Sequence, residues 1–299
     1  MNSALSPPLV SAVLLSYNRR TELDEGLRHL RQLEFSGLEV VVVDNASTDG
    51  TADWVRGHHP WVRLLEMPAN LGVAAYNRGF EAARGEFVLI LDDDSIPARG
   101  ALERMVEVFR AHPEAGVVAF DVRSYRYYHE VAALLPEADR EATPDYPMGF
   151  NGAGAGVRRE LLLRVGGYPE EFFLYWNELD LSLRILQAGY RIVQYPGIVA
   201  FHKFAPTNRD STRGPYYYCR NLFWIYWKYF PWRTLLAATA RLVYQCLYSC
   251  LEQRTTVYLR AMGSAFGRAA AVGRKRMPLR ADITGRVRIA WKLAFIQYR

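Results

Sequence analysis

The chain of 299 residues is half apolar and 13% aromatic, with a formal net charge of +6. That composition excludes a disordered or low-complexity polymer, and the length holds one α/β domain of roughly 200–250 residues plus an appendage. Cys219, Cys246 and Cys250 are too few and too clustered for a disulfide scaffold or a cysteine metal site, and they suit a reducing compartment.

No basic segment leads into an apolar core near residue 1, so a cytoplasmic location is expected. Residues 10–15 are apolar and β-branched and predict a buried strand, broken by Ser16-Tyr17-Asn18-Arg19-Arg20. Thr21 stands where it caps a helix reaching about Leu33. Residues 39–43 read as a second buried strand ending on Asp44, followed by a turn over 45–50 and a helix over 51–57. A third strand is expected over 62–65, then the Asn70-Leu71-Gly72 turn and a helix over 74–83. A fourth strand over 87–91, a helix over 98–111 and a fifth strand over 117–120 follow. Such alternation through short loops predicts an α/β fold: a mostly parallel sheet covered by helices on both faces, with ligands at the carboxyl ends of its strands.

Three of those ends carry polar clusters, over 16–19, 44–49 and 92–95. Together they present backbone NH groups, Asn side chains and carboxylates, the makings of a nucleotide site. The third cluster is the most telling, because the apolar run 87–91 leads straight into Asp92-Asp93-Asp94. Burying one unpaired carboxylate costs several kcal/mol, so a trio at the end of a core strand calls for a compensating cation. A hard divalent metal, which takes oxygen ligands and bridges to phosphates, meets that need. Alternate strand residues point the same way, which pairs Asp92 with Asp94.

Residues 121–148, irregular and rich in Tyr, Glu and Pro, read as an insertion near the site. The run Asn151-Gly152-Ala153-Gly154-Ala155-Gly156 lacks the strand–helix frame of a dinucleotide loop. It reads instead as a flexible wall where backbone approaches a sugar or acceptor. Helices over 159–165 and 178–188 follow, then two strands, 191–195 and 198–202, around a Pro196-Gly197 turn.

In their order along the chain, several motifs resemble those of the family 2 glycosyltransferases of the GT-A fold, especially bacterial rhamnosyltransferase-like members. They are Ser16-Tyr17-Asn18-Arg19, the Val-Asp-Asn-Ala-Ser-Thr-Asp-Gly run over 43–50, Asn70-Leu71-Gly72, Asn77-Arg78-Gly79 and Asp92-Asp93-Asp94. Gly166-Gly167-Tyr168, Phe172-Phe173-Leu174-Tyr175 and the Glu-Leu-Asp-Leu-Ser-Leu-Arg run over 178–184 continue the match, which covers about residues 10–230. The resemblance implies an inverting, metal-dependent transfer of a sugar from a dTDP- or UDP-linked donor to a glycan or lipid-linked acceptor. It implies that Asp44 accepts a hydrogen bond from the pyrimidine ring NH while the backbone of Tyr17, Asn18 and Arg19 lines the base. Asn70, Gly72 and Asn77 would shape the nucleotide pocket, and Asp92 would reach the ribose. Asp94 and His202 would bind a divalent cation, Mn2+ or Mg2+, with Asp93 able to exchange roles with a neighbour. Glu178 stands where the family places its general base, although Asn177 replaces the acidic residue that commonly precedes it, which leaves Asp180 as a rival. From the glycine run itself, Asn151, Gly152, Ala153 and Gly154 are expected to form the sugar or acceptor loop.

The charge changes sign along the chain. Residues 216–299 hold fifteen Lys and Arg against only Glu252 and Asp282, whereas residues 1–215 hold twenty-two basic and twenty-nine acidic residues. This divides the chain into a catalytic domain over 1–215, with a donor half over 1–120 and an acceptor half over 121–215, and a basic, aromatic helical extension over 216–299. In the extension Leu235, Leu236, Thr239, Leu242, Val243, Cys246, Leu247 and Cys250 recur at helical spacing, and Arg241 interrupts any membrane span. Two uses of that stripe stay open: peripheral contact with the anionic inner face of the cell membrane, or packing on the catalytic domain or on another copy in a homo-oligomer. The Gly273-Arg274-Lys275-Arg276 run raises nucleic-acid binding, but no recognition fold accompanies it, so no nucleic-acid partner is expected. Two functional rivals remain. A nucleotidyltransferase needs a glycine- and lysine-rich phosphate loop after the first strand, which residues 16–20 lack. A noncatalytic nucleotide-sugar scaffold has no need of the acid at 178.

Overall fold

The computed structural model describes residues 8–125, 143–203 and 212–287. The insertion read over 121–148 lies largely outside them. One eight-stranded sheet runs through the molecule in the order β3-β2-β1-β4-β7-β6-β8-β5. Its first half is parallel: β1 (Val10–Ser16) pairs with β2 (Leu38–Asp44) and β4 (Phe87–Asp92), and β2 pairs with β3 (Arg63–Glu66). Helices α1 (Arg20–Gln32), α2 (Thr51–His58), α3 (Tyr76–Ala82) and α4 (Ala101–Ala111) connect and cover these strands, with a 3-10 turn, Gly72–Ala75, leading into α3. Alternate residues of each strand enter opposite faces. Val41, Val43, Val88 and Ile90 join the core on one side of the sheet, and Val40, Val42, Leu89 and Leu91 the core on the other.

The second half departs from the expected parallel pattern. β7 (Ala155–Arg158) lies antiparallel between β4 and β6 (Ala115–Ser124). The glycine run expected as a flexible wall is therefore, in its second half, a central strand. Its glycines leave room for bulk from neighbouring elements: a side chain on Gly154 would collide with Ala200 and Phe120, and one on Gly156 with Met105 and Phe109. After α5 (Arg159–Val165) and α6 (Asn177–Gln187), a single strand β8 (Arg191–His202) replaces the two expected strands. Pro196-Gly197 forms no reversal. Pairing with β6 jumps from Ala119–Gln194 to Asp121–Val199, so the dipeptide bulges out while the strand keeps its direction. The short β5 (Ser95–Pro97), directly after the aspartate trio, pairs antiparallel with the end of β8.

Helix α7 (Arg213–Tyr229) follows, then α8 (Trp232–Glu252), α9 (Val257–Gly267), α10 (Ala269–Gly273) and α11 (Ala281–Thr284). The buried face of α7, with Leu222, Phe223, Trp224 and Ile225, joins the same core as Leu181, Leu183 and Ile185 of α6. Leu235, Leu242 and Cys246 of the expected stripe also turn inward to that core, and the Cys246 thiol lies 3.3 Å from that of Cys219. Among the described residues no helix is long and apolar enough to cross a membrane.

Candidate active site

Strand register sets the site. Ser16 pairs with Asp44 and Leu15 with Asp92, so β1, β2 and β4 end side by side. With strands ~4.8 Å apart, Asp44 and Asp92 stand about 10 Å from each other across the edge. Of the trio only Asp92 lies in the strand; Asp93 and Asp94 form the turn into β5. Strand alternation is thus not what brings Asp92 and Asp94 together. The β5–β8 pairing does it, because it sets His202 opposite Ser95. His202 Nε2 lies 2.9 Å from Asp94 Oδ1 and 3.8 Å from Asp92 Oδ2. Ligand atoms of Asp92, Asp94 and His202 all fall within 4.8 Å of one another. Two carboxylates and an imidazole at that spacing suit a divalent cation of the manganese or magnesium kind.

Arg19 supplies positive charge to the same cluster, with Nη2 2.7 Å from Asp94 Oδ2 and Nε 3.4 Å from Asp93 Oδ1. Burial works against the charged form of Asp94, but the His202 and Arg19 contacts outweigh it and hold the carboxyl well below its ordinary range. Burial pushes Asp93 up to about 7; Arg19 opposes the shift and the neighbouring Asp94 and Asp92 charges add to it. Asp93 also accepts a 3.0 Å hydrogen bond from Ser16 Oγ.

A cavity of about 750 Å³ opens over these groups. Tyr17, Arg19, Asn70, Gly72, Asp92, Asp93, Asp94, Glu178 and His202 line it, nine of the expected site residues from five separate stretches of chain. Gly72 has φ +62, and a side chain there would collide with the Phe173 carbonyl, which accepts from Val73 N at 3.0 Å. That contact ties the 70–73 turn to the 172–176 segment. Tyr175 and Trp176 both take positive φ immediately before α6. This turn is held from behind, where Asn221 Nδ2 donates to the Leu174 and Tyr175 carbonyls and Trp176 Nε1 donates to the Tyr218 carbonyl.

Glu178, in the first turn of α6, lines this cavity and also a second one of about 550 Å³ bounded by Asp121, Asn151, Gly152 and Gln194. A Cβ on Gly152 would stand 2.7 Å from Glu178 Oε1, so glycine leaves the space that the carboxylate fills. Burial raises the Glu178 carboxyl to about 7, opposed by a backbone NH and reinforced by the Asp92 charge.

Other expected site residues sit elsewhere. Asn18 bridges two loops, donating its backbone NH to Ser47 Oγ and accepting from Thr48 N at 2.7 Å. Asn77 clamps Tyr168 through both of its amide atoms, at 2.9 and 2.7 Å, so it braces the wall and does not line the pocket. Asp180 is fully buried and faces a different cavity; it is engaged by Arg184, Lys228 and Tyr229. It ties α6 to α7 and has no access to the space that Glu178 borders. Ala153 is buried, and Gly154 packs under Ala200 and Phe120, away from both cavities. Asp44 is buried at the end of β2 with Oδ2 accepting from Ser47 N, while Oδ1 has no partner.

Sequence reading passed over Asn45 and Tyr76. Asn45 holds the 70–72 turn through Asn70, Leu71 and Gly72, and Tyr76 donates to the Leu91 carbonyl at 2.6 Å beneath Asp92. The Asn in the Asp44-Asn45 pair was the available signal for the first. The second carries none beyond helical spacing.

The fold is GT-A, a sheet whose first half is parallel and whose second half is mixed. A mannosyltransferase from Pyrobaculum calidifontis, solved in complex with GDP-Man and Mn2+, matches 90% of this chain and 79% of its own, with TM-score 0.58 and 27% identity. Staphylococcus aureus TarS residues 1–349 in complex with UDP-GlcNAc superposes with TM-score 0.60 over 90% of this chain and 84% of its own; at 18% identity this likeness concerns the fold alone.

Residues 11–165 match the model of glycosyl transferase family 2, and the chain belongs to that family. It is a glycosyltransferase. Among curated relatives, the N-acetylglucosaminyl-diphospho-decaprenol L-rhamnosyltransferase of Mycobacterium tuberculosis is 26% identical over 242 residues, 68% of this chain and 78% of the relative. The pre-mycofactocin glycosyltransferase of the same organism is 31% identical over 197 residues, 62% of this chain and 41% of the relative.

Proposed function

We propose that the protein moves a sugar from a dTDP- or UDP-linked donor to a hydroxyl of a cell-envelope glycan or lipid-linked acceptor, with inversion at the anomeric carbon. The observation that carries this reading is the position of Glu178 between two adjoining cavities, one of which holds the carboxylates, the imidazole and Arg19. A donor in the larger cavity and an acceptor in the smaller then meet at one carboxylate. The rhamnose-type donor and lipid-linked acceptor rest on the name of the mycobacterial relative.

The residues divide the work. Asp44 Oδ1, buried and unpaired, is suited to accept from a pyrimidine ring NH, and Asp92, whose side chain is 42% exposed, is available to the ribose. Asp92, Asp94 and His202 would hold the divalent cation. Bound there, Mn2+ or Mg2+ supplies Lewis-acid neutralisation of the leaving diphosphate. Arg19 adds fixed positive charge at the same place. Glu178 takes the proton of the acceptor hydroxyl as it attacks from the face opposite the leaving group, a task for which a carboxylate titrating near 7 is matched to neutral pH. With a lipid-linked acceptor the enzyme would work at a membrane surface, and the reading places it at the cytoplasmic face through peripheral contact.

Thermal-shift screening of nucleotide sugars with and without manganese tests the donor, because a ligand of the folded state alone raises its apparent stability. The expected result is a cation-dependent shift with one pyrimidine nucleotide sugar and slow donor hydrolysis with release of nucleoside diphosphate. Release of pyrophosphate would mark a nucleotidyltransferase. Binding without hydrolysis or transfer would mark a scaffold.

A further inference from the structure

Helix α8 has two apolar faces, and only one is used by the fold. The inward face carries Leu235, Leu242, Cys246 and Ser249, all buried. The outward face carries Trp232, Leu236, Tyr244, Leu247, Tyr248 and Leu251, each 46–81% exposed. These six recur at helical spacing along 21 residues, a line of about 31 Å. Leu259 and Phe266 of α9 extend it. Single exposed apolar side chains are ordinary, but a continuous row marks an interaction surface.

The charge beside the row selects the partner. Arg233 and Arg260 on these two helices, Arg254 in the turn between them and Arg268 just after the second are exposed, and Glu252 is the only acidic residue from 232 to 268. The Trp232 ring lies 4.3 Å from the Arg276 guanidinium, an aromatic anchor under a cation. A second copy docked face to face would bring arginine rims against each other, which opposes an isologous dimer. An anionic surface with an apolar interior suits both elements at once, and Tyr and Trp are the side chains that settle at its boundary.

We infer that the outward face of α8, continued by α9, docks the enzyme on an anionic lipid bilayer, lying in the headgroup plane. The stripe read from the sequence splits between the two faces: Leu235, Leu242 and Cys246 are spent on internal packing, while Leu236 and Leu247 lie on the outward face. The inference deepens the peripheral contact proposed above by naming its surface, and it rests on that reading. Its test uses neither donor nor cation, so its failure leaves the transferase chemistry untouched.

The experiment is co-sedimentation of the full chain with vesicles of phosphatidylcholine alone or mixed with phosphatidylglycerol. The unmodified protein should bind the anionic vesicles, release as salt screens the arginines, and bind neutral vesicles far less. The L236S/Y244S/L251S variant should bind roughly tenfold or more weakly. Unchanged circular dichroism and a cooperative thermal melt establish that this variant is folded. The charge variant R233Q/R254Q/R260Q should lose the preference for anionic vesicles. Equal vesicle binding by the apolar variant overturns the inference. So does absence of vesicle binding together with a dimer, seen by sedimentation velocity, that the same three substitutions dissolve; that outcome gives the face to a second copy.

Discussion

Replacing Glu178 by Gln should lower turnover and raise stability in the same molecule. Burial lifts the Glu178 carboxyl from the ordinary 4.5 to about 7. The folded state therefore keeps a proton through a range of pH in which the unfolded chain has released it. A carboxyl raised in this way stabilises the fold most below pH about 4.5, and the benefit declines as pH climbs through 7. Every tenfold change in proton affinity corresponds to about 1.4 kcal/mol, so ionising this half-buried side chain costs the cation-free protein about 3 kcal/mol at most. Gln does not titrate, and at 178 it keeps the shape without the charge. Thermal unfolding without cation should show little difference between the two proteins near pH 5. Near pH 8 the variant should melt several degrees higher. Donor-saturated turnover, read as nucleotide release in the presence of acceptor, should fall by roughly 10²–10⁴-fold. A melting difference that does not grow with pH would refute the assignment of desolvation as the cause, and near-normal turnover would refute Glu178 as the base.

Turnover of the unmodified enzyme should climb with pH below about 7 and level off above it, since the base must be ionised; a flat profile from pH about 5.5 to 7.5 contradicts the role. Asp94→Ala should weaken manganese-dependent donor binding by roughly tenfold or more, and calorimetry giving equal affinity with and without manganese in the unmodified protein would remove the cation from the site. Asp180→Ala strands Lys228 and Arg184 in the interior and should cost about 3–5 kcal/mol in urea unfolding. Loss of turnover from Asp180→Ala in a protein of unchanged stability would return Asp180 to the list of bases.

The donor half was legible because two simple signals coincide there. Buried parallel strands read as continuous apolar runs, and each run stops at a polar cluster that a core cannot accommodate without a ligand or ion pair. Register then follows almost unavoidably, which is why Asp44 and the aspartate trio lie along one edge. The acceptor half was less legible because its strands are set by partners and not by their own residues. Ala155–Arg158 has almost no β-propensity; Met105 and Phe109 leave space only for small residues, and pairing with β4 and β6 does the rest. Pro196-Gly197 carries a turn signal, but flanking pairs to β6 on both sides hold the strand straight past it. Asn77 shows another limit. A polar residue within a motif reads as a ligand contact, yet this one spends both amide atoms on the Tyr168 backbone, and only the fold reveals which atoms are so engaged. Helix α8 left both uses of its stripe open in the sequence, since apolar spacing does not say which of two apolar faces turns inward.

The turn that launches Glu178 is fastened by groups of α7, with Asn221 gripping the Leu174 and Tyr175 carbonyls and Tyr218 receiving the Trp176 indole NH. The helical tail is in this respect a backbone splint for the carboxylate proposed as the base. Chimeras that join the first 212 residues to the tail of a relative should fold yet turn over slowly, until an asparagine and its neighbours are restored at the junction. Modular exchange at this seam therefore has to carry α7 together with the turn it holds.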